Sequence, residues 1–246
     1  MPAETVKCIE SWKRVMPEYE LVLWDMDRFD VSSVPFVEVA CYKKKWAAAA
    51  DYIRLYSVYT EGGIYMDTDV YTVKPFDDLL SNAFFTAIEC IKPYVESEDY
   101  AAQIDKNGLP KTKDVFAIRF GLQAAVFGGI KGHPFLYSCM DWYKDNPISM
   151  SDGTYLNPII APRVYAQVAL EYGFCYKDEM QYLAEGVVIY PSSLVAVSPY
   201  YACDDNYGIH CTYGSWLRVD KRIRRKLAGL AILRKLFRKK PIIELT

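Results

Sequence analysis

Hydrophobic positions along the chain alternate between helical and extended periods. Val6, Ile9, Trp12 and Val15 recur at three-residue steps, so Pro2–Met16 is predicted as an amphipathic helix. Pro17-Glu18-Tyr19 turns the chain, and Glu20–Trp24 (ELVLW) reads as a strand ending at Asp25, Asp27 and Asp30. Phe36–Tyr42 is a short apolar stretch. Ala47–Tyr59 returns to a helical period through Ile53, Tyr56 and Val58/Tyr59, and Glu61-Gly62-Gly63 stops it, because glycine takes left-handed angles cheaply. Ile64-Tyr65-Met66 then reads as a short buried strand, continued in extended form past Asp67-Thr68-Asp69 by Val70–Val73.

The same alternation continues. Pro75–Leu80 predicts a turn into a short helix, and Asn82–Cys90 a strand. Lys92–Asp114 is polar and reads as a long surface loop or lid. Phe116–Gly129 is apolar. Lys131-Gly132-His133-Pro134-Phe135 enters a helix over Leu136–Tyr143, with His133 explained by the turn before it. Asp152–Pro158 is loop-like, Arg163–Tyr172 helical, Gly186–Pro191 a strand, and Val195–Asp204 a short apolar segment giving way to loop. Alternating helices and strands predict one α/β domain, a size that 246 residues with 52% hydrophobic content support.

Composition refines this picture. There are 21 Tyr against 11 Phe, and tyrosine-rich clefts suit sugars, although most of these rings are expected to be half-buried along helices and strands. Seven cysteines (Cys8, Cys41, Cys90, Cys139, Cys175, Cys203, Cys211) are dispersed without CxxC spacing, which predicts reduced thiols in a cytoplasmic setting and no zinc site. No apolar run is long enough to span a bilayer. Net charge is −2, but residues 217–246 carry 11 Lys/Arg against two acids, so the rest of the chain is acidic. The chain is therefore divided into a catalytic-type domain, 1–217, and a basic amphipathic tail, 218–246. In that tail Ile223, Leu227, Leu230, Ala231 and Phe237 form an apolar strip inside a cationic helix, a pattern suited to an anionic membrane surface. No nucleic-acid-binding module is present, so nucleic acid is not an expected partner.

The candidate chemistry lies in Ala47–Leu80. Asp67 and Asp69, two apart on a strand, would point to one side, and paired carboxylates ending an apolar strand need a cation or a solvated position. Carboxylate oxygens suit Mg²⁺ or Mn²⁺, which can bridge to a diphosphate. Asp51 and Arg54, three apart, share a helix face.

The run Ala50-Asp51-Tyr52-Ile53-Arg54-Leu55-Tyr56, with Tyr59 and Gly62-Gly63-Ile64-Tyr65-Met66-Asp67-Thr68-Asp69-Val70, resembles the sugar-binding region of DXD-type glycosyltransferases, closest to glycosyltransferase family 32. Trp12, Pro17, Tyr19 and Trp24 fit the family's W-x4-P-x-Y-x4-W. Lys131–Pro134 matches its K-G-H-P turn, and His210 with Gly214-Ser215-Trp216 its H…GSW ending. Relatives carry a further strand ahead of the first helix, and the sequence as given apparently lacks it, so that either it is a piece of a longer chain or its nucleotide pocket is built differently. Where relatives often carry Asn, this chain has Ala124, with Gln123 beside it.

The resemblance implies a GT-A type, Rossmann-like mixed sheet flanked by helices. It implies transfer of a sugar, with retention, from a UDP- or GDP-sugar to a glycan or lipid-linked glycan in surface or capsular polysaccharide assembly, and the cationic tail adds the expectation of a peripheral place at the inner face of a membrane. Asp69 would be the more direct metal ligand, and Asp67 would ligate the metal and reach the ribose. Asp51 would accept hydrogen bonds from donor hydroxyls, and Arg54 would pair with phosphate or hold a carboxylate. Gly62 and Gly63 belong to the implied nucleotide-sugar motif. His210 would join the metal or the β-phosphate, and Ser215 and Trp216 would donate to phosphate oxygens. Two rivals remain open on the residues alone: a DxD-type phosphohydrolase using its first Asp as nucleophile, and a non-catalytic glycan-binding relative.

Overall fold

The computed structural model describes residues 2–25, 27–112, 119–146 and 160–212. Ser215, Trp216, the tail 218–246, the loop 152–157 and residues 116–118 of the apolar stretch lie outside the described residues. The helices are α1 (Ala3–Val15), α2 (Pro35–Tyr42), α3 (Trp46–Glu61), α4 (Lys92–Val95), α5 (Glu98–Gln103), α6 (Pro134–Asp145) and α7 (Ala161–Leu170). The strands are β1 (Gly63–Met66), β2 (Val70–Thr72), β3 (Phe84–Cys90), β4 (Phe120–Leu122), β5 (Val126–Gly129), β6 (Gln181–Tyr182), β7 (Val187–Tyr190), β8 (Val195–Ala196) and β9 (Gly208–His210).

The strands form two sheets. The larger runs β1-β5-β3-β7-β6, with β4 also on β3, and is mixed: β3 and β7 are parallel and the other pairs antiparallel. The smaller runs β2-β9-β8. Alternate residues of β3 serve opposite faces. Phe84 and Ile88 join the core under α2, α3, α6 and α7, while Phe85 and Ala87 join a second core formed with α1 and the small sheet. The architecture is the expected mixed α/β sheet flanked by helices.

Local chemistry fixes the pieces around the site. Helix α1 is tied to β2 by its own side chains: the Trp12 indole N–H donates to the Val70 carbonyl at 2.7 Å, and the Thr72 amide donates to Ser11 Oγ at 2.9 Å. Helix α3 ends at Gly62, whose φ of 77° no β-carbon-bearing residue takes cheaply, and a β-carbon there would also sit 3.1 Å from the Lys131 amide nitrogen. His133 caps α6, its Nδ1 accepting from the Phe135 amide at 3.1 Å.

Three expectations are corrected, and one stretch left without an element is assigned. Glu20–Trp24 is not a strand: no described residue pairs with it, Leu23 is 72% exposed, and Trp24 instead packs edge-on against Tyr56 at 5.9 Å. A short apolar run becomes a strand only where a partner edge is available. Phe36–Tyr42 is helical, started by Pro35 in the first turn, where its missing N–H costs nothing. The described part of Lys92–Asp114 is not a long loop. It holds α4 and α5, the latter capped by Ser97, and a bridge between Ile104 and Pro110. Asp67-Thr68-Asp69 is not strand. It is a turn in which the Val70 amide donates to the Asp67 carbonyl at 2.9 Å, and it joins the large sheet to the small one.

Candidate active site

The turn at Asp67–Asp69 hangs between two ladders. On one side the Asp67 amide donates to the Ala125 carbonyl at 2.8 Å, extending the β1–β5 pairing by one residue. On the other the Cys211 amide donates to the Asp69 carbonyl at 2.8 Å, just past the pairing of Val70 with His210. The first contact fixes where Asp67 leaves the large sheet. The second brings β9, and with it His210, against Asp69. One ligand atom each from Asp67, Asp69 and His210 all lie within 4.8 Å of one another. The two aspartates converge because the turn and β9 bring them together, not because of strand pleating.

Asp67 is braced from behind. Tyr65 donates its hydroxyl to Asp67 Oδ1 at 2.6 Å, and Arg54 Nη1 stands 3.5 Å from Asp67 Oδ2. Arg54 is buried and heavily engaged. It donates to the carbonyls of Ala50 (3.1 Å) and Ala124 (2.9 Å), pairs with Asp51 at 3.1 Å, and lies over the Tyr65 ring with its carbon 5.0 Å from the centroid. Burial alone would lower its pKa, but Asp67, Tyr65 and Asp51 hold it well above the ordinary value. Of the two roles implied for Arg54, this geometry carries the second, holding a carboxylate.

Asp51 is less comfortable. Burial pushes its pKa up to about 6, against the pull of Arg54; Asp67 pushes the same way as burial, and the Ala161 backbone N–H pulls down. That last contact matters for architecture. Ile160 cannot cap α7 with a side chain, and Asp51 places a carboxylate at that helix start instead. Asp51 therefore couples α3 to α7 as well as facing the site.

His210 Nε2 stands 3.4 Å from Asp69 Oδ1. Burial works against its charged form, but Asp69, Glu89 and Asp67 outweigh this and its pKa is raised. Two carboxylates and an imidazole are a donor set that suits Mn²⁺ well and Mg²⁺ less, since imidazole is the softer ligand. The residues present thus fit the implied ion. Beside the bracing residues lies a cavity of about 220 Å³, lined mainly by Trp24, Trp46, Ala50, Ile53, Arg54 and Tyr65.

Gly62 and Gly63 do not reach this cluster. They start β1, and Asp67 follows its end, roughly 13 Å away at strand rise. Their observed work is to end α3 and start the strand. Gln123 is fully buried, its Oε1 accepting from the Ala125 amide at 3.0 Å, so it braces the backbone that carries Ala124 and Ala125. Two further residues bear on the site: Tyr65, which belongs to the motif run but has no role implied by it, and Glu89 near the end of β3, which lies outside any motif. A lone acid closing an otherwise apolar run (Phe84–Cys90) was the available signal for Glu89.

Comparison with known proteins bears on this same stretch. Residues 2–86 match the family model described as "Glycosyltransferase sugar-binding region containing DXD motif". The matched region contains Asp51, Arg54, Gly62, Gly63, Asp67 and Asp69, whereas His210 lies beyond it. A 37-residue stretch is 54% identical to "Glucan organizing enzyme 1" of Cryptococcus neoformans var. grubii serotype A, covering 15% of this chain and 10% of that protein.

Proposed function

We propose that this chain is a glycosyltransferase that moves a sugar from a nucleotide-sugar donor to a hydroxyl acceptor, with Asp67, Asp69 and His210 holding a divalent cation. The observation that carries the proposal is the meeting of these three side chains at the junction of the two sheets, with both aspartates inside the region matched by the DXD sugar-binding family. The relative named as a glucan-organizing enzyme supports enzymatic work on glycans.

A bound Mn²⁺ or Mg²⁺ would neutralise charge on the departing diphosphate. Arg54 and Tyr65 hold both oxygens of Asp67 in place, so that the site is ordered before substrate arrives. Asp51 accepts hydrogen bonds from donor hydroxyls at the start of α7. The neighbouring cavity, walled by Trp24, Trp46 and Tyr65, suits a flat base of a UDP- or GDP-sugar. Ser215 and Trp216 would close over the diphosphate, and the donor phosphate itself would take the acceptor proton in a retaining, front-face reaction. The phosphohydrolase alternative is less well supported: a nucleophilic Asp67 would have to attack while one oxygen accepts from Tyr65 and the other pairs with Arg54.

The basic tail 218–246 would lay the domain on an anionic membrane surface, at the cytoplasmic face, where a lipid-linked glycan of surface or capsular type is presented. Co-sedimentation with phosphatidylserine vesicles, lost on deleting 218–246, is the expected sign.

The functional test is calorimetry and donor hydrolysis with UDP- and GDP-sugars in the presence of Mn²⁺. Asp69→Ala should abolish both signals, a loss of at least about 100-fold. Turnover that survives in this variant, or release of phosphate from phosphomonoesters without sugar transfer, would overturn the proposal.

A further inference from the structure

We propose that Glu89 is a substrate-binding residue whose carboxylate accepts a hydrogen bond from a hydroxyl of the donor sugar. The inference rests on the glycosyltransferase reading above and names a contact which that reading does not contain.

The placement comes first. Phe85, Ala87 and Glu89 alternate along β3 and share one face of the large sheet. Phe85 and Ala87 pack in the core made with α1, β2 and β8, and this apolar wedge ends where Glu89 begins. The small sheet covering that face is the one that carries His210. In the ladder Glu89 is opposite Gly121, so no cross-strand side chain covers or neutralises it. A β-carbon at Gly121 would fall 2.5 Å from the Pro162 carbonyl oxygen, so the first turn of α7, whose Ala161 amide meets Asp51, closes in at the same level.

Electrostatics agree with this placement. The charges acting on Glu89 are those of the site: His210, Asp67 and Arg54. Burial pushes its pKa up, and the two cations oppose that. Yet neither cation comes within ion-pair distance of it, and among the described residues none donates a hydrogen bond to its carboxylate. Glu89 also lies outside the trio whose ligand atoms converge, so it is not placed as a metal ligand. A largely enclosed carboxylate without a protein donor is costly unless a ligand supplies one. The ligand group next to a cation-held diphosphate is the sugar ring, and its hydroxyls are hydrogen-bond donors that a carboxylate accepts.

The experiment is calorimetry on the full chain with Mn²⁺, comparing UDP and GDP with UDP-glucose, UDP-galactose and GDP-mannose, in wild type and in Glu89→Gln. Expected is a nucleotide-diphosphate affinity unchanged within about twofold and a nucleotide-sugar affinity weakened by about tenfold, with the melting temperature of the ligand-free protein not lowered. Equal weakening of both would place Glu89 in the surroundings of the ion and overturn the inference. So would a variant indistinguishable from wild type with every probe. Silence of the wild-type chain with all five nucleotides is a different result: it removes the functional proposal, and this inference with it. Glu89→Asp, which keeps the charge but shortens the reach, should fall between wild type and Glu89→Gln for the sugar nucleotide only.

Discussion

The two sides of the Asp67–Asp69 turn are built differently. Asp67 belongs to the large sheet and is surrounded by committed partners: Tyr65, Arg54 and, through its amide, Ala125. Asp69 belongs to the small sheet and faces a titratable histidine carried by a neighbouring strand. The first side resembles a core ion network, in which every group is held by several others. The second is held mainly by backbone pairing and by α1 behind it. A two-acid motif can thus join a carboxylate fixed in an ion network to one held mainly by backbone pairing, and stability and ligand binding should separate when each side is altered.

Removing Arg54 should have the largest effect on stability. Arg54→Met leaves Asp51 and Asp67 facing each other in a buried place without their cation, a loss of about 3–5 kcal/mol in urea unfolding. His210→Ala on the other side should cost less than about 1 kcal/mol while removing a ligand. If the two costs come out equal, the contrast between the sides is wrong.

Next in size is a pH effect on the metal-free protein. Asp51 has its pKa raised from 3.8 to about 6, so the folded state holds this proton more tightly than the unfolded state does. Its contribution to stability is complete below pH 4 and is lost as the pH rises through about 6, a change of about 3 kcal/mol. Asp51→Asn should flatten that part of the stability curve between pH 4 and 6, and parallel curves for the two proteins would refute the assignment.

The smallest effect concerns the support behind Asp69. Trp12→Phe keeps the ring in the core but leaves the Val70 carbonyl without its indole donor, at a cost of about 1–2 kcal/mol. Because Val70 follows Asp69 directly, Mn²⁺ affinity should weaken modestly, whereas Tyr65→Phe should cost similar stability from the other side of the turn.

Several elements were legible because their information is local. The period of α3, its glycine stop, the β3 and β7 runs and the K-G-H-P cap of α6 are each written within a dozen residues. Asp51 and Arg54 were legible as one helix face, and they do pair. The strand expected at Glu20–Trp24 did not form because a short apolar run does not say whether an edge is free to receive it, and the helix at Pro35–Tyr42 was hidden by its shortness. Glu89 is not legible because an acid in an apolar run carries no motif, and the bracing role of Tyr65 is not legible because the motif places the ring without saying which carboxylate its hydroxyl meets.

Periodicity and glycine placement act over a few residues, so the chain alone prescribes an α/β protein with a helix–glycine–strand unit that delivers two acids to a strand end. Long-range pairing then puts these acids in a turn between two sheets, engages Arg54 inside the protein, and brings His210 and Glu89 to the same place. The physical reason is that strand pairing and burial of charge are settled between segments far apart in the chain. No local pattern records which strand will lie beside which, or which carboxylate will be left facing the ligand.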